Sequence, residues 1–149
     1  MLRALILLLC AVFATPALGK LPKVTLAELA AKSHLVCVGE VVTIEPGAMS
    51  PYDGMPSRRA LIRLVKSLKG SLPQEVKVVF VPRVSEEASF VVGQRYVLFL
   101  KWSNGDFRTS VGSLGAREIV DDSIDSSAIT GEPARLSIAD LERKLARGQ

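Results

Sequence analysis

The chain has 149 residues, of which 48% are hydrophobic and 23% charged, and its formal net charge is +4. This length suits one domain better than two, and the apolar share is typical of a globular protein and argues against a disordered one. The basic residues are mostly dispersed, so the charge does not indicate a nucleic acid partner.

Residues 1–19 have the pattern of a secretory signal peptide. Arg3 gives the start a positive charge, Ala4–Ala14 form an unbroken apolar core, and small residues at Ala17 and Gly19 mark a cleavage site. We expect cleavage after Gly19, with a cut after Ala17 as the second choice. Because the apolar core is too short to span a bilayer, we expect no stable membrane insertion after cleavage. The pattern therefore predicts a periplasmic or secreted protein.

The two cysteines are expected to have different fates. Cys10 leaves with the signal peptide, and it is not a lipidation site because a bacterial lipobox requires a small residue where Leu9 stands. Cys37 is then unpaired, which excludes an intramolecular disulfide in the mature chain. Its apolar surroundings favour a small buried side chain over a reactive thiol.

The mature chain is predicted to begin with a short helix and a long strand. Thr25 and Glu28 form a capping-box pattern, which indicates a helix over about Leu26–Lys32. Leu35–Ile44 is rich in β-branched residues, so it is predicted to be the first strand. A glycine inside a strand often marks a bulge or bend, and Gly39 is the candidate here.

The middle of the chain supplies the remaining long strands. Glu45–Ser57, rich in Pro, Gly and Met, is predicted to be a long irregular loop. Alternating apolar residues predict strands over Arg58–Leu68 and Val76–Val81. Tyr96–Ser110, which reads YVLFLKWSNGDFRTS, indicates a β-hairpin. Asn104-Gly105 separates its two extended runs, and both positions of such a turn require positive φ.

The C-terminal part is predicted to end the sheet and add a second helix. Arg117–Val120 can form a last short strand, and Asp121–Pro133 is predicted to be a polar loop. Ser137 is a candidate N-cap for a final helix, whose inner stripe would be Ile138, Leu141 and Leu145. The predicted fold class is mainly β: a five-stranded OB-like (Greek-key) barrel flanked by a short N-terminal and a C-terminal helix. One domain would cover residues 20–149.

Three segments of the predicted barrel resemble the netrin-like OB-fold domains, a group that includes the tissue inhibitors of metalloproteinases. Leu35–Val41 resembles their first barrel strand, Ile62–Gly70 resembles the second with its lysine-glycine exit, and Val92–Leu100 resembles a later G-x-x-Y-L strand. The resemblance covers about Thr25 to Val120 and implies the same barrel in a short exported bacterial protein.

The likeness does not extend to the inhibitory site of that group. The tissue inhibitors chelate the protease zinc through an amino-terminal cysteine, whereas the expected mature start here is Lys20 with no cysteine near it. The disulfides of that group are also missing. Metalloproteinase inhibition is therefore disfavoured, and no functional residue is carried over.

Side chains that could support catalysis or bind a metal are few. His34 is the only histidine and precedes Cys37 by three residues, and no third ligand or partner base is close in sequence. The acidic residues Asp121, Asp122 and Asp125 lack the spacing of an EF-hand loop. We therefore expect no enzyme activity, no metal site and no cofactor.

The sequence predicts an exported, non-enzymatic binding module whose partner is an extracytoplasmic protein. Recognition is more often carried by loops on a rigid barrel than by its walls. The candidate partner-binding residues, from the long loop and the hairpin tip, are Met49, Tyr52, Asp53, Met55, Asn104 and Asp106.

The alternative is a barrel that binds an oligosaccharide or another small ligand. Such a barrel would require an exposed aromatic platform, for which Trp102, Tyr52 and Phe107 are the candidates, with Arg63 and Arg108 alongside. Trp102 has the strand parity of Tyr96, Leu98 and Leu100, so it is expected to close the core. Nucleic acid is disfavoured because the protein is expected to be exported.

Overall fold

The structure, a computed structural model, describes residues 23–49, 54–71, 73–82 and 88–148. The elements in chain order are β1 (Val24–Thr25), α1 (Leu26–Ala31), β2 (Leu35–Met49), β3 (Pro56–Lys69), β4 (Glu75–Phe80), β5 (Arg95–Ser103), β6 (Asp106–Thr109), a 3₁₀ turn (Gly112–Gly115), β7 (Ala116–Val120), β8 (Ser123–Asp125), β9 (Ile129–Thr130), β10 (Arg135–Ser137) and α2 (Ile138–Arg147). The predicted signal peptide lies outside the described residues.

Five of these strands close into a barrel in the order β5-β2-β3-β4-β6 and back to β5. All neighbours are antiparallel except β4 and β6, which run parallel and pair through Val78 and Phe107. The strand β6, which forms a hairpin with β5, also pairs with the earlier strand β4. This connection gives the barrel its Greek-key strand order. The predicted mainly β, OB-like barrel with a helix on either side in sequence is confirmed.

The barrel wall formed by β2 and β5 is buried on both faces. Side chains alternate across a strand, so Leu98 and Leu100 of β5 point into the barrel while Val97 and Phe99 point outward. The outward pair is covered by a second apolar layer that includes Leu29 of α1 as well as residues of α2 and β8. The strand β7 continues the sheet beyond β5, and β8 and β10 follow it.

Both helices begin at the predicted caps. The Thr25 hydroxyl accepts a hydrogen bond from the Glu28 backbone N–H at 3.2 Å, and the Thr25 N–H donates to Glu28 Oε2 at 2.8 Å. The hydroxyl of Ser137 accepts from the Asp140 N–H at 3.1 Å and starts α2. Leu141 and Leu145 are buried as the predicted inner stripe. Each cap satisfies backbone donors that a helix start leaves without partners.

The prediction of an irregular loop over Glu45–Ser57 is wrong for residues 45–49 and 56–57, which are in strands, whereas Gly54 and Met55 are irregular. The strand β2 continues to Met49, and β3 begins at Pro56, because the two strands keep pairing beyond the end of β4. The Ser57 hydroxyl donates to the Ala48 carbonyl and helps to hold this ribbon together. Pairing of two strands compensates there for the poor strand propensity of the proline and glycine residues.

One smaller difference from the prediction concerns the region after the hairpin. The predicted loop over Asp121–Pro133 contains β8 and β9, which are too short to show a hydrophobic period. Asp121 and Asp122 have φ of 51° and 55° and form the turn that joins β7 to β8.

The predicted irregularity at Gly39 is confirmed, since the register between β2 and β3 shifts between Val38 and Gly39.

Candidate functional site

The candidate residues from the sequence fall into two regions of the described structure. Asn104 and Asp106 belong to the turn and the first position of β6 in the β5–β6 hairpin. Met49 ends β2, and Met55 directly precedes β3, at the tip of the β2–β3 ribbon. Tyr52 and Asp53 lie outside the described residues.

The β5–β6 hairpin has the geometry that its sequence predicts. Asn104 and Gly105 have φ of 51° and 83°, and Ser103 pairs with Asp106 across the turn. Positive φ at both turn positions matches the twist of the two flanking strands, which makes such a hairpin rigid.

Trp102 is 54% exposed, so the prediction that it closes the core is wrong. Its strand parity is that of the core residues Leu98 and Leu100, but the part of the barrel formed by β2 ends before it. The strand β2 begins at Leu35 opposite Leu100, and no residue of β2 pairs with Trp102. The indole therefore lies at the rim of the barrel, past the last position of β5 that β2 covers, while β6 still pairs with it at Phe107.

Two neighbouring side chains contact Trp102, one through its ring and one through its backbone. Its ring meets that of Phe107 edge to face, with the ring centroids 4.9 Å apart and the planes at 76°. The backbone N–H of Trp102 donates to Nδ1 of His34 at 2.9 Å. Phe107 itself packs against the barrel interior. An exposed indole that is already ordered loses little further freedom when it contacts a ligand or partner.

Substituting His34 with alanine should remove the acceptor of the Trp102 N–H while leaving the core intact. Because both partners are exposed to water, we expect a loss of about 0.5–1.5 kcal/mol in the free energy of unfolding. We also expect a change in Trp102 fluorescence anisotropy, because one of the contacts that hold this segment is lost. His34→Asn retains an acceptor and is the control, and equal anisotropy in wild type and His34→Ala would contradict this role.

A continuous row of paired residues connects the hairpin to the base of the β2–β3 ribbon. Trp102 pairs with Phe107, Phe107 with Val78, Val78 with Ala60, and Ala60 with Ile44. Four strand spacings correspond to about 19 Å along the sheet. The hairpin and the base of the ribbon therefore lie at opposite ends of this row.

Met49 is 64% exposed at the ribbon tip. Methionine is flexible and polarisable, and exposed methionines are common on surfaces that bind proteins. Met55 is partly exposed beside it. The open edge of β2 carries Pro46, whose missing N–H protects such an edge against pairing with another strand.

Cys37 is fully buried inside the barrel, and burial raises the pKa of its thiol to about 12. His34, the only histidine of the sequence, accepts a hydrogen bond from the Trp102 N–H and not from the Cys37 thiol. A neutral buried thiol is a poor nucleophile and a poor metal ligand. Among the described residues, no group of three His, Cys, Asp or Glu side chains is arranged to hold a metal ion.

The Cys37 thiol should react with iodoacetamide only when the barrel opens. Its folded pKa lies above the ordinary value of 9.0, so folding favours the protonated thiol. The contribution of the protonated thiol to the free energy of unfolding is complete below about pH 9. It is lost as the pH rises from there towards about 12. We expect labelling at pH 8 to be slow in the native protein and rapid in denaturant. Rapid labelling without denaturant would contradict burial of the thiol.

No helix within the described ranges has both the length and the apolar character needed to cross a membrane. No protein-family model matches the chain, and a search of curated proteins finds no significant similarity.

Proposed function

We propose that this chain is an exported, non-enzymatic binding module with an OB-like barrel of the netrin-like kind, and that it recognises a protein outside the cytoplasm. The observation that carries the proposal is the ordered, exposed indole of Trp102 on a rigid hairpin, with a second exposed apolar side chain, Met49, on the ribbon. The buried thiol of Cys37 and the hydrogen bond taken up by His34 support a role without catalysis.

The separation of these two side chains favours a protein partner. The hairpin and the base of the ribbon are about 19 Å apart along the sheet, and Met49 lies five residues further along β2 than Ile44. A standard protein interface buries about 800 Å² on each partner, which is large enough to cover both. A sugar of one or two rings would reach only one of them.

Trp102 is expected to dominate the binding energy. Tryptophan is the residue type most enriched among interface hot spots, and its truncation commonly costs about 2 kcal/mol or more, which is roughly 30-fold in affinity. Met49 would lie closer to the edge of the same interface and contribute less.

Affinity capture from an extract of exported proteins, with matched variants, tests the proposal. Wild type should retain a discrete protein that Trp102→Ala loses and that Met49→Asp retains less well. Val65→Asp is the control, because Val65 is another exposed apolar residue, on β3, outside both regions. The proposal fails if no variant changes the captured proteins, or if Val65→Asp has the same effect as Trp102→Ala.

A second candidate function is binding of an oligosaccharide or small apolar ligand at the barrel rim. The exposure of Trp102 and its edge-to-face contact with Phe107 favour it, because sugars stack on exposed aromatic rings. Titration with oligosaccharides should then change Trp102 fluorescence, and Met49→Asp should leave the affinity unchanged. Sensitivity to Met49→Asp would instead indicate the protein interface.

A further inference from the structure

A second feature, independent of the hairpin and ribbon, is an open cleft of about 990 Å³ between the start of β5 and the β7–β8–β10 extension of the sheet. This volume is at the upper end of the range for small-molecule sites. Exposed Val91 and Val120 form part of its apolar lining. The sequence showed no sign of it, because its walls come from five separate segments.

One end of the cleft contains two arginine side chains that neighbouring groups hold in place. Arg117 Nε donates to the Asp125 carbonyl at 3.0 Å, and its Nη2 lies 3.6 Å from Asp125 Oδ2. Arg135 Nη2 donates to the Val120 carbonyl at 3.1 Å. Each guanidinium has five N–H donors, so most of them are not used by these bonds.

The carboxylate at this end is already bound within the protein. Asp125 Oδ1 accepts from the Ser127 N–H at 2.9 Å and from its hydroxyl at 2.6 Å. The Ser127 hydroxyl, the Ser127 N–H and the two arginines together hold the pKa of Asp125 below its usual range. Two guanidinium groups and one carboxylate leave this end with a net positive charge.

The other end of the cleft carries a carboxylate without a cationic partner. Glu118 lines the cleft opposite Tyr96, its register partner on β5, and forms no ion pair within the described parts of the chain. Burial raises the pKa of Tyr96, and the charge of Glu118 adds to that rise. Glu118 on β7 and Arg135 on β10 are separated by β8, which corresponds to about 10 Å.

We propose that this cleft binds a short extended peptide of about three residues with free termini. Its carboxylate would be bound by Arg117 and Arg135, and its ammonium group by Glu118. An extended chain spans about 3.3–3.6 Å per residue, so three residues match the separation of the backbone positions of Glu118 and Arg135. A phosphate ion fits less well, because it would leave Glu118 without a cationic partner and the apolar walls uncovered.

Isothermal titration calorimetry with trialanine, its C-terminal amide and its N-acetyl derivative tests this site. We expect trialanine to bind and each blocked peptide to bind at least about tenfold more weakly, since each loses a charge-assisted contact. In Arg135→Gln the preference for trialanine over the amide should become smaller, because only Arg117 remains to bind the carboxylate, and in Glu118→Gln the acetyl derivative should bind as well as trialanine. Arg63→Gln, on the exposed surface of β3, is the control that should change nothing.

Arg135 is preferred to Arg117 for this experiment because the Arg117 side chain is only 20% exposed and supports the sheet extension. Circular dichroism checks that each variant folds. If a variant does not fold, the titrations of the wild-type protein with the three peptides still test the proposed site. The proposal is overturned if trialanine gives no heat of binding at millimolar concentration, if all three peptides bind equally, or if inorganic phosphate binds more tightly than trialanine. Failure here leaves the hairpin proposal unaffected, because Trp102 does not line the cleft.

Discussion

Phe99→Ala is expected to lower the free energy of unfolding by about 3–5 kcal/mol, the largest effect of any single core substitution considered for this chain. Phe99 is completely buried and is the largest of the fully buried side chains. It points outward from β5 into the apolar layer that includes Leu29 of α1 and Leu141 of α2. Its removal would leave a cavity between the barrel wall and both helices, which are too constrained by their caps to fill it.

Chemical denaturation followed by circular dichroism measures this effect. Phe107→Ala is the matched control, because Phe107 is only half-buried at the rim, and it should cost less than half as much. Equal losses in the two variants would mean that the outer apolar layer contributes little, and that the barrel interior alone stabilises the fold.

Gly39→Ala is expected to destabilise the protein by about 1–3 kcal/mol through overpacking. A Cβ atom at Gly39 would overlap with Cγ2 of Ile62 on β3, with Leu98 of β5 also in contact. Ile62 is fully buried, so its branched side chain has no room to move away. The bulge at this position thus depends on the absence of a side chain.

A pair of second-site variants isolates that contact. Ile62→Leu moves the branch away from Cβ and should recover part of the loss caused by Gly39→Ala, whereas Ile62→Val keeps Cγ2 and should not. Each single exchange at Ile62 costs less than about 1.5 kcal/mol on its own. Thermal unfolding of the wild type, the three single variants and the two double variants gives the two coupling energies. Equal behaviour of the Leu and Val double variants would show that the overlap with Cγ2 is not the cause.

Most of the barrel could be predicted from sequence because its signals are local. Alternating apolar residues in β3, β-branched residues in β2 and Asn104-Gly105 at the hairpin each act over a few neighbouring positions. The capping box at Thr25 is equally local. These patterns fix strands and turns without reference to the rest of the chain.

The features that the sequence did not indicate depend on where elements end relative to their neighbours. Trp102 has the parity of a core residue, and only the start of β2 at Leu35 decides that it is exposed. The continuation of β2 to Met49 depends on pairing with β3, against local propensity. The cleft unites Glu118, Arg117 and Arg135 through strands of three to five residues, which carry no recognisable period.

The central functional claim is that one protein partner contacts both the hairpin and the ribbon. Its most direct test places a photo-crosslinking phenylalanine derivative at position 102, where it keeps an aromatic ring on the hairpin, in cells that export the protein. The account predicts one discrete protein adduct that weakens when Met49→Asp is added and persists when Val65→Asp is added instead. The absence of any protein adduct, or an adduct that Met49→Asp leaves unchanged, would contradict it.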